Sequence, residues 1–353
     1  MALSPNPGHN DVEGIDADRV GRWFTDNVPG VDPPLYFELI AGGRSNLTYR
    51  VTDASERHFA LRRPPRSHVL PTAHDMAREY RVISALGPTV VPVPVTYGLC
   101  QDEEVNERPF YVMEFIEGHI IRDAETAERD LDLAARRRAG ESIADTLAAL
   151  HAVDVDAIGL GDFAKRQGYI ERQLRRWFEQ FRNSSVDGVD TATIISAVHD
   201  RLAADIPPQV GTAIVHGDYR LDNTVLGPDG AVRAVLDWEI CTLGDPLADL
   251  GLLMVYWTDA GDEAALLGVT PTTVPGFPSR AEIRDRYQAA SGRDLGRLDF
   301  YVAFGYWKLA CILQGVYARY VGGAAAGDRS SVEGFATSIV RLAEMAQSTL
   351  EAP

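Results

Sequence analysis

The stretch Ala213–Asn223, AIVHGDYRLDN, decides the reading of this chain. It opens on Ala213, Ile214 and Val215, the texture of a short buried strand. The chain then turns at Gly217 and sets His216, Asp218, Asp222 and Asn223 close together. Asp and Asn also populate ordinary turns, because their short side chains hydrogen-bond nearby backbone. A polar hairpin without chemistry is therefore the bland alternative. The sequence that follows argues against it. A second apolar run, VLDWE (235–239), carries Asp237 out of a strand, and LGPDGA (226–231) has the composition of a hairpin turn. The hairpin returns Asp237 to the loop that holds Asp218 and Asn223.

Such a set suits phosphoryl transfer from ATP. That reaction needs one carboxylate to take or orient the nucleophile's proton and oxygen ligands for Mg²⁺. Mg²⁺ favours a few carboxylate or amide oxygens plus phosphate over His or Cys. The spacing H-x-D-x-x-x-x-N matches the catalytic loop of kinases, with Gly217 in the place of Arg.

Working outward, the texture upstream is β-rich. IDADRVGRWFTDNV (15–28) spaces Ile15, Val20, Trp23 and Phe24 as an amphipathic helix. Residues 35–65 read as strand, turn, strand, turn, strand. AHDMAREYRVISALG (73–87) is a helix closed by Gly87. VPVPVTYGLC (91–100) and RPFYVMEFIEG (108–118) are strands on either side of a polar, acidic turn. From about Asp130 the pattern is helical, with one long helix over 131–154, others over 169–183 and 191–205, and a strongly apolar one over 300–320. The expected fold class is α+β with two lobes: residues 1–115 a small β-rich lobe, residues 116–353 a larger helical one.

In the β-rich part, IAGGRSNLTYRV (40–51) sets Gly42 and Gly43 in a turn between strands, where backbone N–H groups can approach phosphates and Ser45 and Asn46 can add contacts. A plain Gly-rich hairpin is the alternative. FALRRPP (59–65) leads a strand into Arg62, where the kinase pattern V-A-I-K places Lys. Arg binds phosphate oxygens bidentately, so the role survives the change. Glu79 on the internal helix is its expected partner. Arg63 is the neighbouring candidate, and strand alternation points it the other way.

VHGDYRLDN followed by VLDWEICTLGDPLADLG resembles the aminoglycoside phosphotransferase/choline kinase-type family of small-molecule kinases, whose fold is protein-kinase-like. The variant D-W-E with G-D-P-L-x-D-L is especially similar to the kinase-like domain fused to some acyl-CoA dehydrogenases. The resemblance runs from about Leu39 to the last helices. It implies that Asp218 is the catalytic base, that Asn223 and Asp237 hold Mg²⁺, and that His216 and Asp249 brace the loop. YVMEFIEG (111–118) resembles the hinge that receives adenine, around Glu114 to Ile116. The function implied is an ATP- and Mg²⁺-dependent phosphotransferase acting on a hydroxyl of a small molecule, with a nucleotide-binding pseudokinase as the rival.

Composition bounds the remaining choices. The 353 residues carry a formal net charge of -17, which argues against nucleic acid, since phosphate neutralisation needs basic surface. Cys100, Cys241 and Cys311 lie too far apart for a zinc ribbon or a disulfide framework. The opening MALSPNPGHNDVEG lacks an apolar h-region, and no run reaches membrane-spanning length, so a cytoplasmic protein with no membrane partner is expected. The acceptor is pulled two ways. Glu239 and Asp245, just past the metal pair, suit a cation. Arg172, Arg175 and Arg176 beside Trp177 and Phe178 suit an uncharged or anionic hydroxylated compound, toward which the reading leans.

Overall fold

The computed structural model describes residues 12–41, 46–65, 75–184, 191–262, 270–321 and 333–351. Residues 1–117 and 118–353 form two compact units.

The first unit is an antiparallel sheet with helices. Helix α1 (Ala17–Asn27) starts where Asp16 caps the Arg19 N–H at 3.0 Å, and it buries Val20 and Phe24. Five strands follow: β1 (Tyr36–Ala41), β2 (Leu47–Thr52), β3 (His58–Arg63), β4 (Thr96–Cys100) and β5 (Phe110–Glu114), in the spatial order β1-β2-β3-β5-β4. Phe24 stacks edge-on against Phe37 and Phe59, and Val51, Leu61, Phe110 and Val112 complete that core. Helix α2 (Met76–Leu86) buries Met76, Glu79, Val82, Ile83 and Leu86. The acidic segment read as a turn holds a short helix, α3 (Glu103–Asn106), because Asp102 caps the Glu104 N–H at 2.9 Å.

The second unit is mostly helical. It contains α4 (Ala124–Asp130), α5 (Leu133–Ala152), α6 (Tyr169–Arg182), α7 (Ala192–Ala204), α8 (Leu247–Tyr256), α9 (Arg280–Ser291), α10 (Leu298–Val321) and α11 (Glu333–Glu351). Helix α4 escaped the sequence reading. It is a single polar stretch fixed by a capping box between Asp123 and Thr126, with only Ala127 buried. Helix α10 is apolar on every side because α6, α7, α8 and α11 all pack on it. Its crossing with α8 requires Gly251, where an added Cβ would lie 2.5 Å from the Tyr301 backbone. No helix among the described residues is long and apolar enough to cross a membrane.

Four short strands sit among these helices: β6 (Ala213–Val215), β7 (Thr224–Leu226), β8 (Val232–Val235) and β9 (Thr242–Gly244). β7 pairs with β8 and β6 with β9, both antiparallel. The stretch Ala213–Asn223 therefore leaves one antiparallel ladder, β6 with β9, and leads into the other, the β7–β8 hairpin. The small antiparallel sheet followed by a helical unit is the α+β arrangement expected.

Candidate active site

The loop between β6 and β7 is fixed mainly through its backbone. Asp249, buried at the start of α8, accepts the His216 N–H at 2.6 Å and the Gly217 N–H at 2.8 Å. His151 on α5 adds Nε2 at 3.4 Å from the same carboxylate, and its Nδ1 lies 2.8 Å from the Tyr287 hydroxyl. Burial pulls the His151 pKa down, so the ring is neutral. It donates from Nε2 to Asp249 and accepts at Nδ1 from Tyr287. Burial alone would push Asp249 up, but hydrogen bonds from His151 and the loop amides hold its carboxyl below the usual range.

His216 is fully buried and does no visible proton chemistry. Its Nε2 lies 2.8 Å from the Leu236 carbonyl, so Nε2 carries the proton and Nδ1 is left to accept the Asp218 N–H at 3.3 Å. The imidazole ties the loop to the segment leading into Asp237. Trp238, also buried, packs against it with ring centroids 4.8 Å apart. These contacts give His216 and Asp249 bracing positions.

Asp218 is the partly exposed carboxylate in this frame. Asn223 Nδ2 donates to its backbone carbonyl at 2.8 Å and to Oδ2 at 2.9 Å, which closes the loop on itself. The Tyr256 hydroxyl donates to Oδ1 at 3.0 Å. Burial and the neighbouring Asp218 charge raise the Tyr256 pKa well above its ordinary value, so the phenol stays protonated. Arg220 Nε stands 3.4 Å from Asp218 Oδ2 and 2.9 Å from Asp222, with its guanidinium 4.9 Å over the Tyr256 ring.

Asn223 and Asp237 are brought together by hairpin register. Thr224 pairs with Val235, and the Leu236 N–H donates to the Asn223 carbonyl at 2.9 Å, so Asp237 emerges beside Asn223. Asp237 has φ 63°, a left-handed conformation that Asp tolerates better than most side chains. Such strain persists where surrounding structure imposes it, often at functional sites. One amide and one carboxylate fit a hard cation that completes its shell with phosphate oxygens and water. Among the described residues no cluster of three or more His, Cys, Asp or Glu is assembled, which is the pattern a self-sufficient protein metal site would need.

The first unit holds a second network. Arg62 on β3 donates Nε to Glu79 Oε2 at 3.0 Å, so the expected strand–helix pair is formed. Glu79 is buried and also receives Asn46 Nδ2 at 2.7 Å and the Tyr111 hydroxyl at 3.0 Å. Asn46, read as a phosphate contact, turns its amide inward to Glu79 because a buried carboxylate needs donors. Arg63 faces the opposite side of the sheet, fully buried, where its guanidinium bonds the Gly14 and Pro64 carbonyls. Glu114 ends β5, and its backbone N–H donates to the Val95 carbonyl at 2.8 Å. Ile116 follows, half-buried. Gly42, Gly43 and Ser45 lie outside the described residues.

Beside the loop lies a cavity of about 90 Å³ lined by Arg122, Arg220, Leu253, Tyr256, Trp257 and their neighbours. Asp245 does not serve as an acidic recognition group. It is 1% exposed, accepts the Tyr301 hydroxyl at 2.7 Å, and its carboxyl pKa is raised by burial. Arg172 is likewise committed locally, to the Lys165 and Gln167 carbonyls. Arg176 does sit over Trp177, at 5.0 Å. Sequence reasoning missed Tyr256, which follows a continuous apolar run and carries no spacing signal. The segment around Lys308, read as core, is buried as expected, and Lys308, one of two lysines in an arginine-rich chain, is buried with it.

The family described as "Phosphotransferase enzyme family" matches residues 37–301. The chain is 35% identical over 338 residues to "Probable acyl-CoA dehydrogenase IBR3" of Arabidopsis thaliana, covering 90% of this chain and 40% of that protein. It spans less than half the length of the curated relatives it matches. Among solved structures, a Ralstonia eutropha JMP134 protein described as an aminoglycoside phosphotransferase superposes with a TM-score of 0.80 at 33% identity, over 95% of this chain and 98% of that one. A spectinomycin phosphotransferase in complex with ADP and spectinomycin shares the fold at a TM-score of 0.59 and 13% identity, over 96% of this chain and all of the other.

Proposed function

This chain belongs to the phosphotransferase enzyme family, and on that premise we propose that it transfers the γ-phosphoryl group of ATP to a hydroxyl of a small molecule. The observation that carries the reading is the setting of Asp218. Its carboxylate is partly open to solvent, held on one oxygen by Asn223 and on the other by Tyr256, on a loop whose backbone is bonded to a buried carboxylate. A base prepared in this way needs no rearrangement before it meets its substrate.

In this mechanism Asp218 orients the acceptor hydroxyl and takes its proton as the oxygen attacks phosphorus. Asn223 and Asp237 would hold Mg²⁺, which when bound screens the charge of the phosphates. Tyr256 keeps the base in one rotamer. Arg62 contacts phosphate oxygens, and Glu79 fixes its orientation, with Asn46 and Tyr111 bracing Glu79 in turn. Gly42, Gly43 and Ser45 supply backbone and hydroxyl contacts to the same phosphates. Adenine is received at Glu114 to Ile116. The Ile116 N–H fits that part, since it has no protein acceptor among the described residues.

The acceptor is an uncharged or anionic hydroxylated metabolite, a class that includes hydroxylated acyl compounds. Burial of Asp245 removes one acid that would have paired with an ammonium group, and two guanidiniums line the cavity next to the base. The test is a screen with γ-labelled ATP, with and without Mg²⁺, against aminoglycosides, amino alcohols, hydroxy acids and acyl derivatives. Mg²⁺-dependent labelling of a hydroxy compound is the expected result. Nucleotide binding without transfer to any acceptor or to water would establish the pseudokinase reading instead.

A further inference from the structure

We propose that Lys308 is a positioning residue of the catalytic loop, whose ammonium fixes the Gly217 carbonyl and with it the peptide plane that leads into Asp218. The inference rests on the reading of Asp218 as the base. Lys308 lies midway along α10, 4% exposed, with Nζ 3.0 Å from the Gly217 oxygen. That oxygen belongs to the Gly217–Asp218 peptide. The N–H end of the same peptide, on Asp218, is held by His216 Nδ1. The preceding N–H, on Gly217, is held by Asp249. Two buried side chains thus grip Gly217 from its two sides, Asp249 at the N–H and Lys308 at the carbonyl. Gly217 itself has φ 87°, and a Cβ there would meet Ile240 at 3.1 Å, so the backbone runs through a conformation set by its surroundings.

A purely packing role does not account for this residue. Burying an ammonium is costly unless it is compensated, and an unbranched apolar side chain would fill the same space more cheaply. No carboxylate lies within ion-pair distance of Nζ among the described residues. The contacts found are the Gly217 carbonyl and the face of Trp177 at 5.9 Å. Residue choice points the same way. A chain that places Arg at nearly all of its 34 basic positions uses Lys here. A compact ammonium can donate to one recessed carbonyl, whereas a guanidinium brings a planar fork of donors that would each need an acceptor.

The experiment compares wild type, Lys308→Met and Lys308→Arg in steady-state ADP formation from Mg-ATP, with water or the screened acceptor as nucleophile, alongside thermal unfolding. Lys308→Met is expected to unfold at or above the wild-type temperature and to keep its KM for ATP within about twofold. Its kcat should fall about 10- to 100-fold, the scale of a small misplacement of a reacting group. Lys308→Arg, which keeps a donor in reach, is expected to retain more kcat than Lys308→Met. Wild-type kcat in folded Lys308→Met, a kcat order reversed between the variants, or a loss of kcat matched by loss of thermal stability would each overturn the role. Failure of Lys308→Met to fold, with Lys308→Arg also destabilised, would assign the residue to folding. A wild type that forms no ADP under any condition would remove the phosphotransferase reading itself, whereas an active wild type with an indifferent Lys308→Met removes only the positioning role.

Discussion

Two buried carboxylates, Glu79 in the first unit and Asp249 in the second, solve similar problems by different means. Each is 1% exposed, and each holds in place a residue assigned to chemistry. Glu79 gathers side-chain donors, from Arg62, Asn46 and Tyr111. Asp249 takes two main-chain donors, from His216 and Gly217, with His151 behind it. Side-chain donors can be exchanged or can rotate, so the Arg62 end tolerates adjustment. Backbone donors cannot, so the Asp249 end fixes the path of the chain. Arg62, proposed for phosphate, therefore sits on an adaptable bracket, and Asp218, the proposed base, on a rigid one.

The largest expected effect comes from breaking the rigid bracket. Asp249→Ala leaves two buried N–H groups without acceptors, at about 1–3 kcal/mol each. It should lower the unfolding temperature by several degrees and abolish transfer together. A variant that loses activity at wild-type stability would show that Asp249 acts on chemistry rather than on the loop. The adaptable bracket should give smaller and separable effects. Arg62→Ala is expected to raise the KM for ATP or lower turnover by about tenfold, the loss of one charge-assisted contact. Arg62→Lys should recover part of that and unfold close to wild type, whereas Arg62→Ala, which takes one donor from buried Glu79, should unfold somewhat lower. Unchanged kinetics in Arg62→Ala would move the phosphate role to another cation.

Acid sharpens the contrast further. The folded pKa of His151 is depressed by burial, so the unfolded chain binds a proton there before the folded one does. Stability from this group is complete above its unfolded value near pH 6.5 and declines as pH falls below it. Asp249, also depressed, is neutralised only at lower pH, and its contribution is lost as pH falls through its folded value. Thermal unfolding followed from pH 8 down to 5 should show a loss that His151→Phe removes. An identical slope in the variant would place the acid sensitivity elsewhere.

These brackets were unequally legible in the sequence. The loop could be read because its candidate residues flank one short hairpin: His216, Asp218 and Asn223 lie just before it and Asp237 just after. Glu79 was found because strand alternation and helix periodicity leave one face on which an acid can meet Arg62. Tyr256 and Lys308 were not assigned, since each sits on a helix whose apolar pattern is continuous and reaches the loop only through packing between α8, α10 and the strands. Asp245 was left open between two readings for a related reason. Position along the chain put it near Asn223 and Asp237, but burial against Tyr301 depends on where α10 crosses. Helix α4 escaped because a capping box can hold a polar stretch that has almost no apolar face.

The central claim is that Asp218 works as a base on a prepared loop and not as a metal ligand. Its most direct test is Asp218→Asn, which keeps the shape and one acceptor oxygen while removing basicity. ATP affinity with Mg²⁺ should be largely unchanged by calorimetry, and transfer should fall about 10²–10⁴-fold, the span of general acid–base groups. A collapse of Mg-ATP affinity in this variant would contradict the account and make Asp218 a ligand of the metal.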